Sequence, residues 1–293
     1  MMFEHWQVSR MQSRGDGPVV VHSTSGRTAR VNVESMAALL AQPSKEIRRL
    51  VDAAIEAEPI DASGKLIALA DRQELWAAGV TYERSREARV AESGQVDIYT
   101  SIYTSDRPEL FLKSTPERVV APGDAGRLRE DSTWDACEPE LVAVANAEGE
   151  VVGFTIGNDL CSRSIEAENP LYLPQAKVYT DCCLLASGWT PTWRWALRPE
   201  RRVTMRLFRN RRQYWEGSVT LSQLRRDPQD LVDWLFRELS FPNGVFLFTG
   251  TGIVAPDDVR LQPGDDVEIE IDGLGVLRHG LYRRHRAPAL VTS

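Results

Sequence analysis

A β-rich α+β fold is predicted for this chain of 293 residues, on three observations. Apolar segments of strand length recur between glycine and proline turns, as in Val203-Thr204-Met205-Arg206-Leu207-Phe208 and Val267-Glu268-Ile269-Glu270-Ile271. Helical spacing of apolar residues is confined to a few stretches, chiefly Ser44 to Ala57 and Pro228 to Leu239. No dinucleotide-binding fingerprint is present, because the Gly250/Gly252 pair lacks the third glycine and the helix that should follow it.

The elements follow in order. Residues 1–70 read as a small N-terminal α/β domain. Val19-Val20-Val21-His22 and Ala29-Arg30-Val31-Asn32-Val33 are expected strands around a Ser-Gly turn, followed by helical stretches from Val33 to Ala41 and Ser44 to Ala57. Residues 71–293 read as the catalytic domain. Its opening strand, Trp76 to Tyr82, leads into a charged helix, Glu83 to Glu92, whose Glu and Arg residues suit a solvated face. Pro108 to Lys113 is a short buried strand, and Asn169 to Lys177 a loop bracketed by Pro170 and Pro174. Gly244 to Phe248 is a buried strand opening into the turn Thr249-Gly250-Thr251-Gly252.

Composition narrows the function. A net charge of −7 argues against nonspecific binding to nucleic acid or anionic membranes, which need a basic surface. The basic tail Arg283-Arg284-His285-Arg286 reads as a solvated end. Four cysteines without Cys-x-x-Cys spacing read as small buried thiols in a reducing compartment. Glu4, His5 and Arg10 stand where a signal peptide would be apolar, and no run approaches the ~20 apolar residues that cross a bilayer. A cytoplasmic protein is expected.

The chemistry concentrates at Glu138-Pro139-Glu140, ahead of Leu141-Val142-Ala143-Val144, and at Gly157-Asn158-Asp159. In an extended chain, residues i and i+2 share a face, so Glu138 and Glu140 project together. A hairpin with the strand Val151 to Ile156 would bring Asp159 to the same point. Buried carboxylates repel one another unless a cation lies between them. Three oxygen donors without a histidine suit a magnesium- or calcium-type ion rather than zinc.

These segments resemble the fumarylacetoacetate hydrolase superfamily over about residues 71–281. The likeness rests on Gly79-Val80-Thr81-Tyr82, Phe111-Leu112-Lys113, Glu138-x-Glu140 and Gly153-Phe154-Thr155-Ile156-Gly157-Asn158-Asp159-x-x-Ser162-Arg163. It is completed by Lys177, Thr249-Gly250-Thr251 and Pro263-Gly264-Asp265. Within that family, Glu166 to Gln175 is most similar to the 2-keto-3-deoxy-pentonate dehydratase branch. The resemblance implies a mixed β-roll with a small N-terminal domain. It further implies Mg2+ (Mn2+ and Ca2+ being alternatives) held by Glu138, Glu140 and Asp159, a small-molecule 2-keto sugar acid as substrate, and a homodimer or homotetramer. The implied reaction converts 2-dehydro-3-deoxy-D-arabinonate to 2,5-dioxopentanoate and water.

One departure favours dehydration over hydrolysis. Family hydrolases place a histidine and a glutamate where this chain has Ser85 and Ala88, with Thr81 in place of an asparagine. No histidine lies between His22 and His279. Hydrolysis of a carbon–carbon bond needs a base beside the attacking water, whereas elimination of water does not. Lys177, Glu109 and Glu83 are the candidate acid/base residues, and Tyr82, Phe111, Arg163 and Thr251 the candidates for substrate contact. Two rivals remain at this point: an acylpyruvate-type hydrolase or decarboxylase, and a non-catalytic keto-acid-binding protein.

Overall fold

The computed structural model describes residues 5–12, 17–60, 64–94 and 96–284. Among these residues, an eleven-stranded sheet and a five-stranded sheet dominate. The larger runs Thr28–Arg30, Val19–Ser23, Trp6–Arg10, Gly188–Pro191, Val151–Asp159, Pro139–Ala145, Val245–Phe248, Glu74–Gly79, Glu109–Ser114. Cys183–Leu185 also pairs with the end of Val151–Asp159 and, in parallel, with Val119–Val120. The smaller sheet runs Arg212–Thr220, Arg202–Arg209, Asp266–Ile271, Gly275–Arg283, Gly126–Leu128.

Alternation explains the smaller sheet. Val203, Met205 and Leu207 face the core with Val267, Ile269 and Ile271. The intervening Arg206 sits on the outer face, where it donates to Glu216, Glu268 and Glu270 at 2.8 to 2.9 Å. This is the cross-strand pairing that sets register in an antiparallel sheet. Pro139–Ala145 has no such alternation, since all seven residues are buried. Leu141, Ala143 and Ala145 pack into one apolar cluster, while Val142 and Val144 pack into the other. A strand covered on both faces reads as a continuous apolar run.

Within the segment expected as a separate module at residues 1–70, the described strands are built into the large sheet. Val8 pairs with Trp189 and Ser9 with Gly188. Met36, Leu39 and Val51 share one core with Val142, Phe246 and Phe248. Three short strands and two helices bury too little surface on their own.

Two further features differ from the sequence reading. Residues Val96–Thr104 form a helix. Ile98, Tyr99, Ile102 and Tyr103 recur at helical spacing, a short stripe to which the sequence reading gave no element, and the C-terminal carbonyls are anchored by Arg225 and Arg226, which reach Tyr103 and Ser105. The expected proline loop folds into a 3-10 turn, Pro170–Tyr172, and a short helix, Leu173–Lys177. Each proline lies in a first turn, where its missing N–H costs nothing. Of the basic tail, Arg283 pairs with Asp135, and residues 285 onward lie outside the described residues.

Candidate active site

The hairpin of Pro139–Ala145 and Val151–Asp159 places the acidic triad. Gly157 is opposite Glu140 and Asn158 opposite Pro139, so the next pair sets Asp159 beside Glu138, with Asp159 N–H donating to Glu138 O at 2.9 Å. Directly opposed residues share a face. Oxygen atoms of Glu138, Glu140 and Asp159 come within 4.8 Å of one another, and all three side chains are buried.

Two lysines enter this cluster. Lys177 Nζ donates to Glu138 at 2.6 Å and to Asp159 at 3.0 Å. Lys113 Nζ, fully buried, lies 2.6 Å from the other oxygen of Asp159 and donates to the carbonyls of Leu160 and Lys177. Burial is the largest influence on both lysines and opposes their charge, but Asp159 and the other groups around them, Cys182 and Cys183 at Lys113 and Cys161, Glu138 and Glu166 at Lys177, together outweigh it and hold both ammonium groups above their ordinary range. Burial also disfavours the Glu138 carboxylate. Lys177, Arg89 and Arg163 more than compensate and hold it well below the usual range.

Glu140 is the member left in excess. One oxygen accepts from Gly250 N–H at 2.6 Å, but burial, Asp159 and Glu138 push its carboxyl well above its ordinary range. That imbalance is what a divalent cation relieves, and three convergent oxygens are the donor set for a hard ion. The residues therefore fit the expected metal. A second group, Glu138, Cys161 and Glu166, also converges. Burial, then Glu138, drives the Cys161 thiol far up, so it is a poor thiolate ligand.

The triad forms one wall of a cavity of about 370 Å³. Glu109, Phe111, Arg163, Thr251 and Lys177 line it, as expected from sequence. Ser85 and Ala88 line it too, so the positions that hold histidine and glutamate in the hydrolases face the pocket here without either group. Ser85 Oγ instead caps its own helix, donating to Tyr82 O at 2.7 Å. No histidine is among the lining residues.

The turn at Thr249-Gly250-Thr251 is held from beneath. Thr81 Oγ1 donates to Thr249 O at 2.7 Å, and Gly250 has φ +94°. A Cβ on Gly250 would stand 2.0 Å from Thr81 Oγ1, so only glycine fits.

Glu109 is half-buried, across the sheet from Gly79. A Cβ on Gly79 would stand 2.0 Å from a Glu109 carboxylate oxygen, so the missing side chain is the space that carboxylate occupies. Burial is the largest influence on Glu109 and raises its pKa; Arg89 and Lys177 oppose the rise, Glu166 and Glu138 add to it.

Two candidates are corrected. Glu83 opens its helix on the solvent side, 68% exposed and paired with Arg86 at 3.3 Å, and does not line the cavity. Tyr82 is buried behind the wall against Gly252 and does not line it either. In a helix whose inner stripe is Ser85, Ala88 and Arg89, position 83 points away.

Sequence reasoning gave no role to Lys113, Arg89 or Glu166. Arg89, assigned to a solvated face, turns inward to Glu138 at 3.1 Å and pairs with Glu166. The small residues at 85 and 88 were the available signal, since they mark the face on which Arg89 also lies. Lys113 carried a signal in its place within an apolar strand, where a lysine persists only if paired.

Comparison with known proteins agrees with this geometry. The family model described as "Fumarylacetoacetate (FAA) hydrolase C-terminal" matches residues 80–281. A "Probable 2-keto-3-deoxyxylonate dehydratase" of Haloferax volcanii is 43% identical over 211 residues, 72% of this chain and 73% of that protein. The "2-dehydro-3-deoxy-D-arabinonate dehydratase" of Saccharolobus solfataricus is 37% identical over 220 residues, 74% of each. A solved structure of 2-keto-3-deoxy-D-arabinonate dehydratase, complexed with magnesium and 2,5-dioxopentanoate, superposes with TM-score 0.81 at 30% identity, covering 96% of this chain and 100% of that one. A match across two thirds of the chain, around a pocket assembled from the same segments, makes this protein a member of the fumarylacetoacetate hydrolase family.

Proposed function

We propose that the protein is a magnesium-dependent hydro-lyase that dehydrates a 2-keto-3-deoxy pentonate to 2,5-dioxopentanoate. One observation carries the reading: an all-oxygen triad faces a pocket whose hydrolase positions are Ser85 and Ala88. The dehydratase relatives and the magnesium- and product-bound neighbour support it.

Glu138, Glu140 and Asp159 are the residues that would hold Mg2+. The ion supplies Lewis-acid polarisation of a 2-keto group, acidifying the adjacent C3–H. Three carboxylates, a divalent ion and the two lysines leave one positive charge, which the single carboxylate of the substrate balances. Arg89 and Glu166 neutralise each other and leave that balance unchanged.

Glu109 is assigned the proton transfers. Its carboxylate takes the C3 proton and returns it to the C4 hydroxyl, which leaves as water and creates the C3=C4 double bond. A proton then passes from C5 to C3 by way of the same carboxyl group. The resulting enol takes a proton at C4 and releases one from its oxygen, giving the C5 aldehyde. Lys177 faces the negative charge that develops on the C2 oxygen and stabilises it electrostatically. Thr251 and Arg163, which line the cavity, are assigned to orient the substrate carboxylate, and Phe111, which also lines it, to cover the carbon chain. Tyr82 and Glu83, which do not line the cavity, are assigned no contact with the substrate.

A homo-oligomer in the cytoplasm completes the reading, on the family resemblance; among the described residues no helix is long and apolar enough to cross a membrane. The deciding experiment supplies a panel of 2-keto-3-deoxy sugar acids with Mg2+ and identifies the product. A five-carbon aldehyde formed only with metal is expected. Pyruvate or CO2 would establish the hydrolase or decarboxylase alternative, and undiminished turnover in excess EDTA would end the metal-assisted scheme.

A further inference from the structure

The Glu138 end of the triad is tied to the other sheet by a chain of side-chain hydrogen bonds. Glu138 N–H donates to Asn158 Oδ1 at 2.9 Å. The Asn158 Nδ2 atom lies 3.0 Å from His279 Nε2, and His279 Nδ1 lies 2.9 Å from Gly280 O. Asn158 is fully enclosed, and Glu138 and His279 are nearly so. His279 belongs to Gly275–Arg283 of the five-stranded sheet, outside the residues that line the pocket.

Only one arrangement of protons satisfies every member. Because Asn158 Oδ1 accepts from a backbone N–H, its nitrogen must face the histidine and donate. His279 Nε2 is then an acceptor, which leaves the proton on Nδ1 to donate to Gly280 O. Burial supports this form, pushing the imidazole down to about 4 and keeping it neutral. The chain also meets a local need. Pro139 has no N–H for the ladder where it faces Asn158, and the Asn158 side chain ties down the backbone one residue earlier, at Glu138.

We infer that His279 is a positioning residue for the metal site: by accepting from Asn158 it fixes the amide that holds the Glu138 backbone in register with Asp159. Without that acceptor, a donor of the buried Asn158 amide is left unpaired and the amide loses the contact that fixes its orientation from the histidine side. Rotation withdraws Oδ1 from Glu138 N–H and loosens the triad at the one carboxylate that both Lys177 and Arg89 engage. The inference rests on Glu138 being a metal ligand, as proposed above.

The test is calorimetric Mg2+ binding to the full-length protein, alongside thermal unfolding. His279→Leu keeps volume but offers no acceptor, and its Mg2+ affinity should fall about tenfold or more, the usual effect of losing a partner behind a ligand. His279→Gln offers an oxygen at the Nε2 position and should return affinity to about the parent value. Leu281→Ala, a buried truncation on the same strand, should lower the melting temperature and leave affinity unchanged. Parent affinity in a folded His279→Leu protein, or equal losses in His279→Leu and Leu281→Ala at matched stability, overturns the inference. If His279→Leu does not fold, 15N NMR of the parent imidazole decides. The Nδ1–H tautomer is expected, and an Nε2–H tautomer overturns the chain of bonds. A parent protein without Mg2+ affinity refutes the ligand assignment and this inference with it. A Glu140→Gln protein that loses binding while His279→Leu keeps it refutes the inference alone.

Discussion

Gly79→Ala is the most economical test of the proton-transfer assignment, because it adds one methyl group and removes no functional atom. The new Cβ would stand 2.0 Å from the Glu109 carboxylate, against 3.4 Å or more for ordinary contact, so the carboxylate must retreat by well over an ångström. Gly79 has no positive φ, so alanine meets no backbone strain there. Glu109 is a flexible side chain half-open to the cavity, and it can move without disrupting the core. Stability should therefore change little. A displacement of about 1 Å at a catalytic group costs on the order of 100-fold. This corresponds to about 2.7 kcal/mol of transition-state stabilisation. Turnover is followed by release of the aldehyde from a 2-keto-3-deoxy pentonate at saturating Mg2+, and Mg2+ affinity by calorimetry. The expected result is kcat reduced about 100-fold with the metal affinity of the parent. Parent kcat in Gly79→Ala, or a loss of Mg2+ binding that tracks the loss of kcat, would refute the reasoning.

Three further outcomes follow from the same geometry. Glu140→Gln removes the carboxylate that burial and its neighbours leave in greatest excess, and should abolish tight Mg2+ binding; unchanged affinity rejects the ligand. Lys113→Met leaves Asp159 short of a buried cation and should cost about 3–5 kcal/mol. Scanning calorimetry reads that as a melting point lower by roughly 2–4 °C per kcal/mol, and an unchanged transition contradicts it. The acid limb of the pH–rate profile reports ionisation of Glu109, whose carboxyl is raised by burial. Activity should fall as pH drops through a value above the ordinary ~4.3, and a limb at or below that value removes Glu109 as the base. For stability the sign is opposite: the neutral carboxyl suits the fold, so its contribution is present below ~4.3 and lost as pH rises through the raised value.

The amino-acid order determined a β-rich chain, the convergence of Glu138 and Glu140 and the addition of Asp159 by a hairpin and, with the family resemblance, the replacement of the hydrolases' histidine and glutamate by Ser85 and Ala88. All of these depend on near neighbours: a period of two along one strand, a turn between adjacent strands, and residue types at fixed spacing within a motif. Tertiary structure decided the rest. Lys113 reaches Asp159 from a strand 46 positions earlier, Arg89 reaches Glu138 across 49, and His279 reaches Asn158 across 121. Glu83 and Arg89 look alike in a charged helix, yet one is solvated and the other half-buried and turned inward, because only packing against the Arg163–Glu168 helix fixes which face is inward. The incorporation of Trp6–Arg10, Val19–Ser23 and Thr28–Arg30 into the large sheet is of the same kind. Edge pairing between Val8 and Trp189 joins segments 181 residues apart, and no local pattern encodes a partner at that distance.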